Sequence, residues 1–246
     1  MSKRIFRSLL LAAVLAASAA FADGLPLAPG LVDLTSPEGE TDLLESGALE
    51  AYFPISINFV TQKTQAYCGV ASMVMVLNAL RVPAPSTPEY QPYHTFTQDN
   101  VLDAASDAVL PRDLLARQGM TLDQLGAILS LRGARADVRH AAEGSLDGFR
   151  AEARDALAAR GRFVIINYQR AALGQLMGGH ISPLAAYDEK TDRFLVMDVA
   201  RYNYPPVWVK TVDLFAAMNT PDAANDNKTR GYVLVAKDDS AASPKP

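Results

Sequence analysis

Beyond its first 22 residues, the chain is most uniformly apolar between residues 68 and 80. Val70, Met73, Val74, Leu77 and Leu80 follow one helical face, while Ala71, Met75 and Val76 fill the other, which predicts a helix buried all round. Before it, residues 53–60 alternate weakly and suggest a short strand leading into a polar loop at Gln62. Pro83, Pro85, Pro88 and Pro92 then predict a long surface loop over residues 81–97. Thr121 and Gln124 have capping-box spacing, followed by Leu125, Ile128 and Leu129 on one face. Ser145 or Asp147 can cap another helix running to Arg160, with Gly161 placed to end it.

The period changes in the second half. Residues 163–168 form a compact β-branched and aromatic run, as in a buried strand. Residues 180–187 and 193–199 flank the polar segment 188–192 and predict an antiparallel hairpin, and residues 232–236 give a further strand. Helices before strands predict an α+β fold with the helices packed on an antiparallel sheet. The Pro-, Gly- and acid-rich segment 23–50 is expected to be a loosely held arm, residues 51–237 the folded domain and residues 238–246 a frayed tail.

Residues 1–22 carry Lys3, Arg4 and Arg7, an apolar run from Leu9 to Ala20, and Ala20-Phe21-Ala22 as a cleavage site. This is the pattern of a cleavable export signal, too short in its apolar core for a membrane span, and it predicts an exported, periplasmic protein. The formal charge of the whole chain is −4, and loss of those three basic residues takes it to −7. Such a chain lacks the basic footprint that nucleic acid or anionic membrane needs as a partner.

Against that background Cys68, the single cysteine of the sequence, is informative. Exported proteins commonly use cysteines in disulfides, and an unpaired thiol in an oxidising space asks for a functional reason. A free cysteine is also a small hydrophobe that cores bury. At the start of a helix, however, unpaired backbone N–H groups and the helix dipole favour the thiolate, the reactive form.

A cysteine nucleophile needs a base within hydrogen-bond reach and a third group to orient that base. His94 lies in the proline-rich loop and His140 beside Arg139 in a polar connector; His180 follows Gly178-Gly179 and opens a strand. If the hairpin centres near Lys190, Asp198 falls about two positions diagonal to His180 on the same face. Each residue has a structural reading of its own, but a carboxylate within the apolar run 195–199 is costly unless paired. Gln62, six residues before Cys68, can offer a side-chain N–H to an oxyanion, or can simply be a solvated loop residue.

Three segments together carry a family resemblance: residues 62–80 with Tyr67-Cys68-Gly69 and Leu77-Asn78-Ala79-Leu80, then Gly179-His180-Ile181-Ser182-Pro183, then residues 198–209 from Asp198-Val199-Ala200-Arg201 through Tyr204-Pro205-Pro206. In this order they resemble phytochelatin synthase, across roughly residues 53–236. The resemblance implies a papain-like fold with the nucleophile at the tip of a buried central helix, and an acyl transfer on glutathione. It assigns Cys68 as nucleophile, His180 as base and acid, Asp198 as orienting carboxylate and Gln62 as oxyanion donor. It places Arg201, Asp222 and Arg230 near the γ-glutamylcysteine pocket.

The short form, with no cysteine-rich extension, resembles the bacterial members, for which glycine removal is the expected main activity and chain extension a weaker one. No cofactor and no protein metal site are implied, and metal would enter only as the thiolate complex of the substrate in heavy-metal detoxification. A homodimer is compatible with this reading. A peptidase for other exported peptides and a non-catalytic binder of thiols or metal–peptide complexes are the rival readings.

Overall fold

In the computed structural model, residues 24–176 and 178–238 are described; the expected export signal and the last eight residues lie outside them. The architecture is α+β. Seven strands form one antiparallel sheet in the order β1-β6-β5-β4-β3-β7-β2. They are β1 (Val32–Asp33), β2 (Ala134–His140), β3 (Arg162–Gln169), β4 (Gly179–Asp188), β5 (Arg193–Val196), β6 (Val207–Lys210) and β7 (Gly231–Lys237). The helices are α1 (Pro37–Glu45), α2 (Tyr52–Ile57), α3 (Cys68–Ala79), α4 (Ala104–Val109), α5 (Arg112–Gln118), α6 (Leu122–Leu131), α7 (Leu146–Leu157) and α8 (Thr211–Met218).

The buried helix is α3, whose residues from Cys68 to Leu77 are all buried. With apolar side chains on every face it can pack on β4 and be covered by α2 and α6 at once. Helix α6 begins with the expected capping box, Thr121 and Gln124 each satisfying the other's backbone N–H. Helix α7 is capped by Ser145 and stops at Leu157, with Gly161 at φ +70° in the turn to β3. The loop at 81–97 holds only a short 3-10 turn at Pro88–Tyr90 and an isolated bridge between Ser86 and His94.

Three expectations need correction. Residues 53–60 are not a strand: α2 occupies most of them, because only Ile55 turns inward while Phe53 and Ile57 face solvent, so no two-residue period is buried. The segment 23–50 is not a loose arm. Ser36 caps α1 with Pro37 in its first turn, β1 pairs with β6, and the fully buried Trp208 donates its indole N–H to Gly39 O at 3.0 Å. Arg193 adds ion pairs to Glu38 and Asp42 at 2.6 and 3.3 Å. His140, expected beside Arg139 in a polar connector, instead ends the edge strand β2, whose charged side chains suit a solvent-facing edge.

Candidate active site

Two central elements meet at the site: the first turn of α3 and the start of β4. Cys68 is the first residue of α3, and Tyr67 before it supplies no side-chain cap, so the N–H groups of that turn remain free to face an anion. Gly69 allows the close approach: a Cβ there would lie 2.8 Å from Met120 Sδ and 3.2 Å from Ile181 Cδ1. Ser72 ties the two elements together, its Oγ lying 2.8 Å from Cys68 O and 3.1 Å from Ile181 O.

His180 sits one residue into β4, opposite Tyr168 of β3, and their rings meet edge to face with centroids 5.7 Å apart. Its Nε2 lies 2.8 Å from Oδ1 of the fully buried Asp198, which leaves Nδ1 for the sulfur of Cys68. Asp198 Oδ1 also accepts from the Ala200 N–H at 2.8 Å.

The electrostatics follow from this packing. Burial pushes the Cys68 thiol up, but the His180 hydrogen bond and charge, with the Ile181 and Gly69 amides, more than reverse it and leave the thiol below its ordinary value. Burial pushes His180 down, and the charge and hydrogen bond of Asp198, joined by Cys68, outweigh it and raise the imidazole. Burial would raise Asp198, yet His180 and the neighbouring Arg170 hold it below the usual carboxylate range. Lowered thiol and raised imidazole together favour a thiolate–imidazolium pair, the state in which a cysteine attacks a carbonyl.

Gln62 is buried, and its backbone N–H donates to Val199 O at 2.9 Å. Both side-chain N–H groups are engaged, with Thr64 O at 2.7 Å and the Tyr202 hydroxyl at 3.0 Å, while its Oε1 has no partner among the described residues. Thr64 O belongs to the chain itself, so the bond that can yield to a substrate oxygen is the one to the half-exposed Tyr202.

Cys68 and His180 open into a cavity of about 460 Å³ that Asp222, Arg230 and the buried Asn167 also line. Arg230 lies flat against Gly179, where a Cβ would stand 3.3 Å from Nε and from Nη2. Its Nη1 donates to Thr220 Oγ1 at 3.2 Å and to Pro221 O at 2.5 Å, its Nη2 is 3.6 Å from Asp222 Oδ1, and its buried Nε has no partner among the described residues. A cation and a carboxylate side by side in a cavity wall suit a ligand that carries both charges.

Of the residues singled out from sequence, His180 and Asp198 form a series with Cys68, Asp222 and Arg230 line the same cavity, and Gln62 bonds to the cavity residue Thr64. Arg201 does not line this cavity; it is exposed and its guanidinium stacks on Phe59, 4.6 Å from the ring centroid. His140, away from Cys68, is held between Thr229 O and Asp123. Sequence reasoning missed Arg170, Asn167, Ser72 and Tyr202. Arg170 left the trace of a charged residue two positions after the strand run ending at Tyr168; Ser72, Asn167 and Tyr202 lie inside the runs 62–80, 163–168 and 198–209, where nothing marked them out.

Taken alone, fold and site define an α+β protein with a cysteine–histidine–aspartate constellation beside a polar cavity. The chain belongs to the phytochelatin synthase family, whose model, described as "Phytochelatin synthase", matches residues 22–232. Glutathione gamma-glutamylcysteinyltransferase 3 of Lotus japonicus is 33% identical over 212 residues, which cover 85% of this chain and 43% of that protein. Glutathione gamma-glutamylcysteinyltransferase 1 of Arabidopsis thaliana is 30% identical over 212 residues, covering 85% and 42%. The Schizosaccharomyces pombe glutathione gamma-glutamylcysteinyltransferase is 29% identical over 192 residues, covering 78% and 45%. The chain therefore spans less than half the length of these relatives.

Proposed function

We propose that this protein is a cysteine acyltransferase acting on glutathione, with a papain-like arrangement of helix-borne nucleophile and sheet-borne base. The observation that carries the reading is the hydrogen-bonded series Cys68–His180–Asp198 opening into the cavity that Arg230 and Asp222 line. The names of the relatives supply the substrate class. Arg230 and Asp222 fit the α-carboxylate and α-ammonium of a γ-glutamyl group.

In the reaction, the Cys68 thiolate attacks the carbonyl carbon of the cysteinyl–glycine amide. The oxyanion is met by the Cys68 backbone N–H and by Gln62, whose amide turns from Tyr202. The C–N bond breaks as the His180 imidazolium passes its proton to the departing glycine nitrogen, leaving a γ-glutamylcysteinyl thioester. His180, now neutral, takes a proton from water as its oxygen bonds to the thioester carbon, and the C–S bond breaks to return the Cys68 thiolate and release γ-glutamylcysteine; the amine of a second glutathione in place of water gives a phytochelatin. Hydrolysis is the main outcome of this proposal. The polypeptide holds no metal or cofactor in it, and metal ions arrive as thiolate complexes of the substrate. The basic and apolar pattern of residues 1–22 supports an exported, periplasmic setting for this chemistry. Arg201, outside the lining of this cavity and stacked on Phe59, takes no part in the γ-glutamyl contacts of this proposal.

The test is mass spectrometry of protein incubated with glutathione. A γ-glutamylcysteinyl adduct on Cys68 and stoichiometric glycine are expected. Absence of the adduct and of glycine, with cleavage of longer peptides instead, overturns it in favour of a peptidase. Binding without turnover, retained in Cys68→Ser, overturns it in favour of a binding protein.

A further inference from the structure

Behind Asp198 lies a second buried cation. Arg170 begins a short 3-10 turn directly after β3, and only 5% of its surface is exposed. Its Nη2 stands 2.8 Å from each oxygen of Asp198, with Oδ1 in hydrogen-bonding geometry. Its Nη1 donates to Gln175 Oε1 at 2.8 Å, and its guanidinium lies over the Tyr204 ring, 5.1 Å from the centroid. Orienting an imidazole requires only a carboxylate; burying a guanidinium as well is costly unless its charge is needed.

The charge balance supplies the need. A thiolate, an imidazolium and a carboxylate buried together leave one uncompensated negative charge, and Arg170 cancels it. We propose that Arg170 is a positioning residue whose charge, bound to Asp198, lets Cys68 and His180 exist as a thiolate–imidazolium pair in the resting protein. This rests on Cys68 being the nucleophile, but not on glutathione being its substrate.

The other groups facing the cluster do not replace Arg170. Tyr168 from β3 is buried and its phenol is pushed upward, chiefly by burial, so it stays neutral. Tyr202, raised chiefly by burial, and Tyr204 are phenols of the loop after Asp198. Arg230 lies behind Gly179, with Asp222 3.6 Å away. Arg170 is the cation in direct contact with Asp198, and its charge and that of Cys68 act on each other.

The experiment is the pH dependence of Cys68 alkylation by iodoacetamide, followed on the full chain without glutathione. Every state that bears the thiolate loses the compensating charge when Arg170 is neutralised, so the rise in alkylation must move to higher pH. Arg170→Gln is expected to shift it upward by about one pH unit, a tenfold loss of rate below the midpoint. Arg170→Lys keeps the charge and is expected to keep the wild-type midpoint. A folded Arg170→Gln with an unmoved midpoint overturns the proposal, as does Arg170→Lys shifting as far as Arg170→Gln. If Arg170→Gln fails to fold, Gln175→Glu sets an anion against Nη1 with the guanidinium still in place. An upward shift then supports the proposal and an unmoved midpoint overturns it. Wild-type protein that alkylates with a low midpoint yet releases no glycine would overturn the substrate assignment alone.

Discussion

His180 Nε2 and Asp198 Oδ1 are 2.8 Å apart, although Asp198 lies two residues past the end of β5. A β-bulge brings them together. From Asp188↔Arg193 to Ala186↔Leu195 the hairpin is regular, then Leu184 rather than Ala185 pairs with Val196. Continued without the bulge, the ladder would set Asp198 opposite Pro183, with its side chain on the other face. With it, Met197 N–H donates to Pro183 O, and Asp198 falls opposite Ser182, on the face of His180.

The first prediction concerns this pair. Asp198→Asn keeps the shape but removes the charge that raises His180, so glycine release from glutathione should fall by roughly 10²-fold or more. Cys68→Ala and His180→Ala should abolish it. Normal turnover in either alanine variant would remove the mechanism.

Gly69 is predicted to be intolerant of a methyl group. In Gly69→Ala the new Cβ must displace Met120 Sδ and press on Ile181, moving the helix tip away from β4. The expected stability cost is roughly 1–3 kcal/mol, with a disproportionate loss of kcat, and Met120→Ala should restore part of both. Thermal melts beside steady-state rates check this.

Arg230→Met should raise KM for glutathione at least tenfold with a smaller effect on kcat, since it removes a contact made before and during reaction. Asp222→Asn should do the same more weakly. Equal falls in kcat with unchanged KM would mean that neither residue reads the substrate.

Gln62 and Tyr202 give separable outcomes. Gln62→Ala should cost about 10²-fold in kcat, the loss of one oxyanion donor. Tyr202→Phe frees the Gln62 amide from one acceptor and should leave kcat within a few-fold of wild type. A Tyr202→Phe loss as large as that of Gln62→Ala would shift the donor role to the phenol.

Acid sensitivity should concentrate at the β4–β5 turn. Burial pushes Asp192 up, but bonds from Arg150, Thr211 and Tyr187 and the charge of Arg150 hold it below its ordinary value of 3.8. A carboxyl lowered on folding stabilises fully above that ordinary value and loses the contribution as pH falls through the lowered one. Asp192→Asn should therefore lower the urea midpoint at pH 7 and narrow the gap between pH 7 and pH 3. An unchanged gap would show that this cluster does not govern acid unfolding.

The chain itself determined its local elements and the identity of its chemistry. The all-round apolar run made α3, Thr121 with Gln124 made the start of α6, the β-branched run made β3, and one cysteine with one glycine-flanked histidine named the pair that meets. These are consequences of side-chain period and backbone preference, which act over a few residues. Tertiary structure decided what depends on distance in space. Ser36–Pro37 became a helix cap because Trp208 and Arg193 dock the arm that follows; most of residues 53–60 became the helix α2 because only Ile55 could be buried. A hairpin centred near Lys190 predicts Asp198 on the face of His180, and the structure reaches that face through a bulge, which the spacing does not announce. Arg170 left no more than a charge after a strand, because a buried ion pair has no period: its partner Asp198 lies 28 residues away, and the sheet brings the two together.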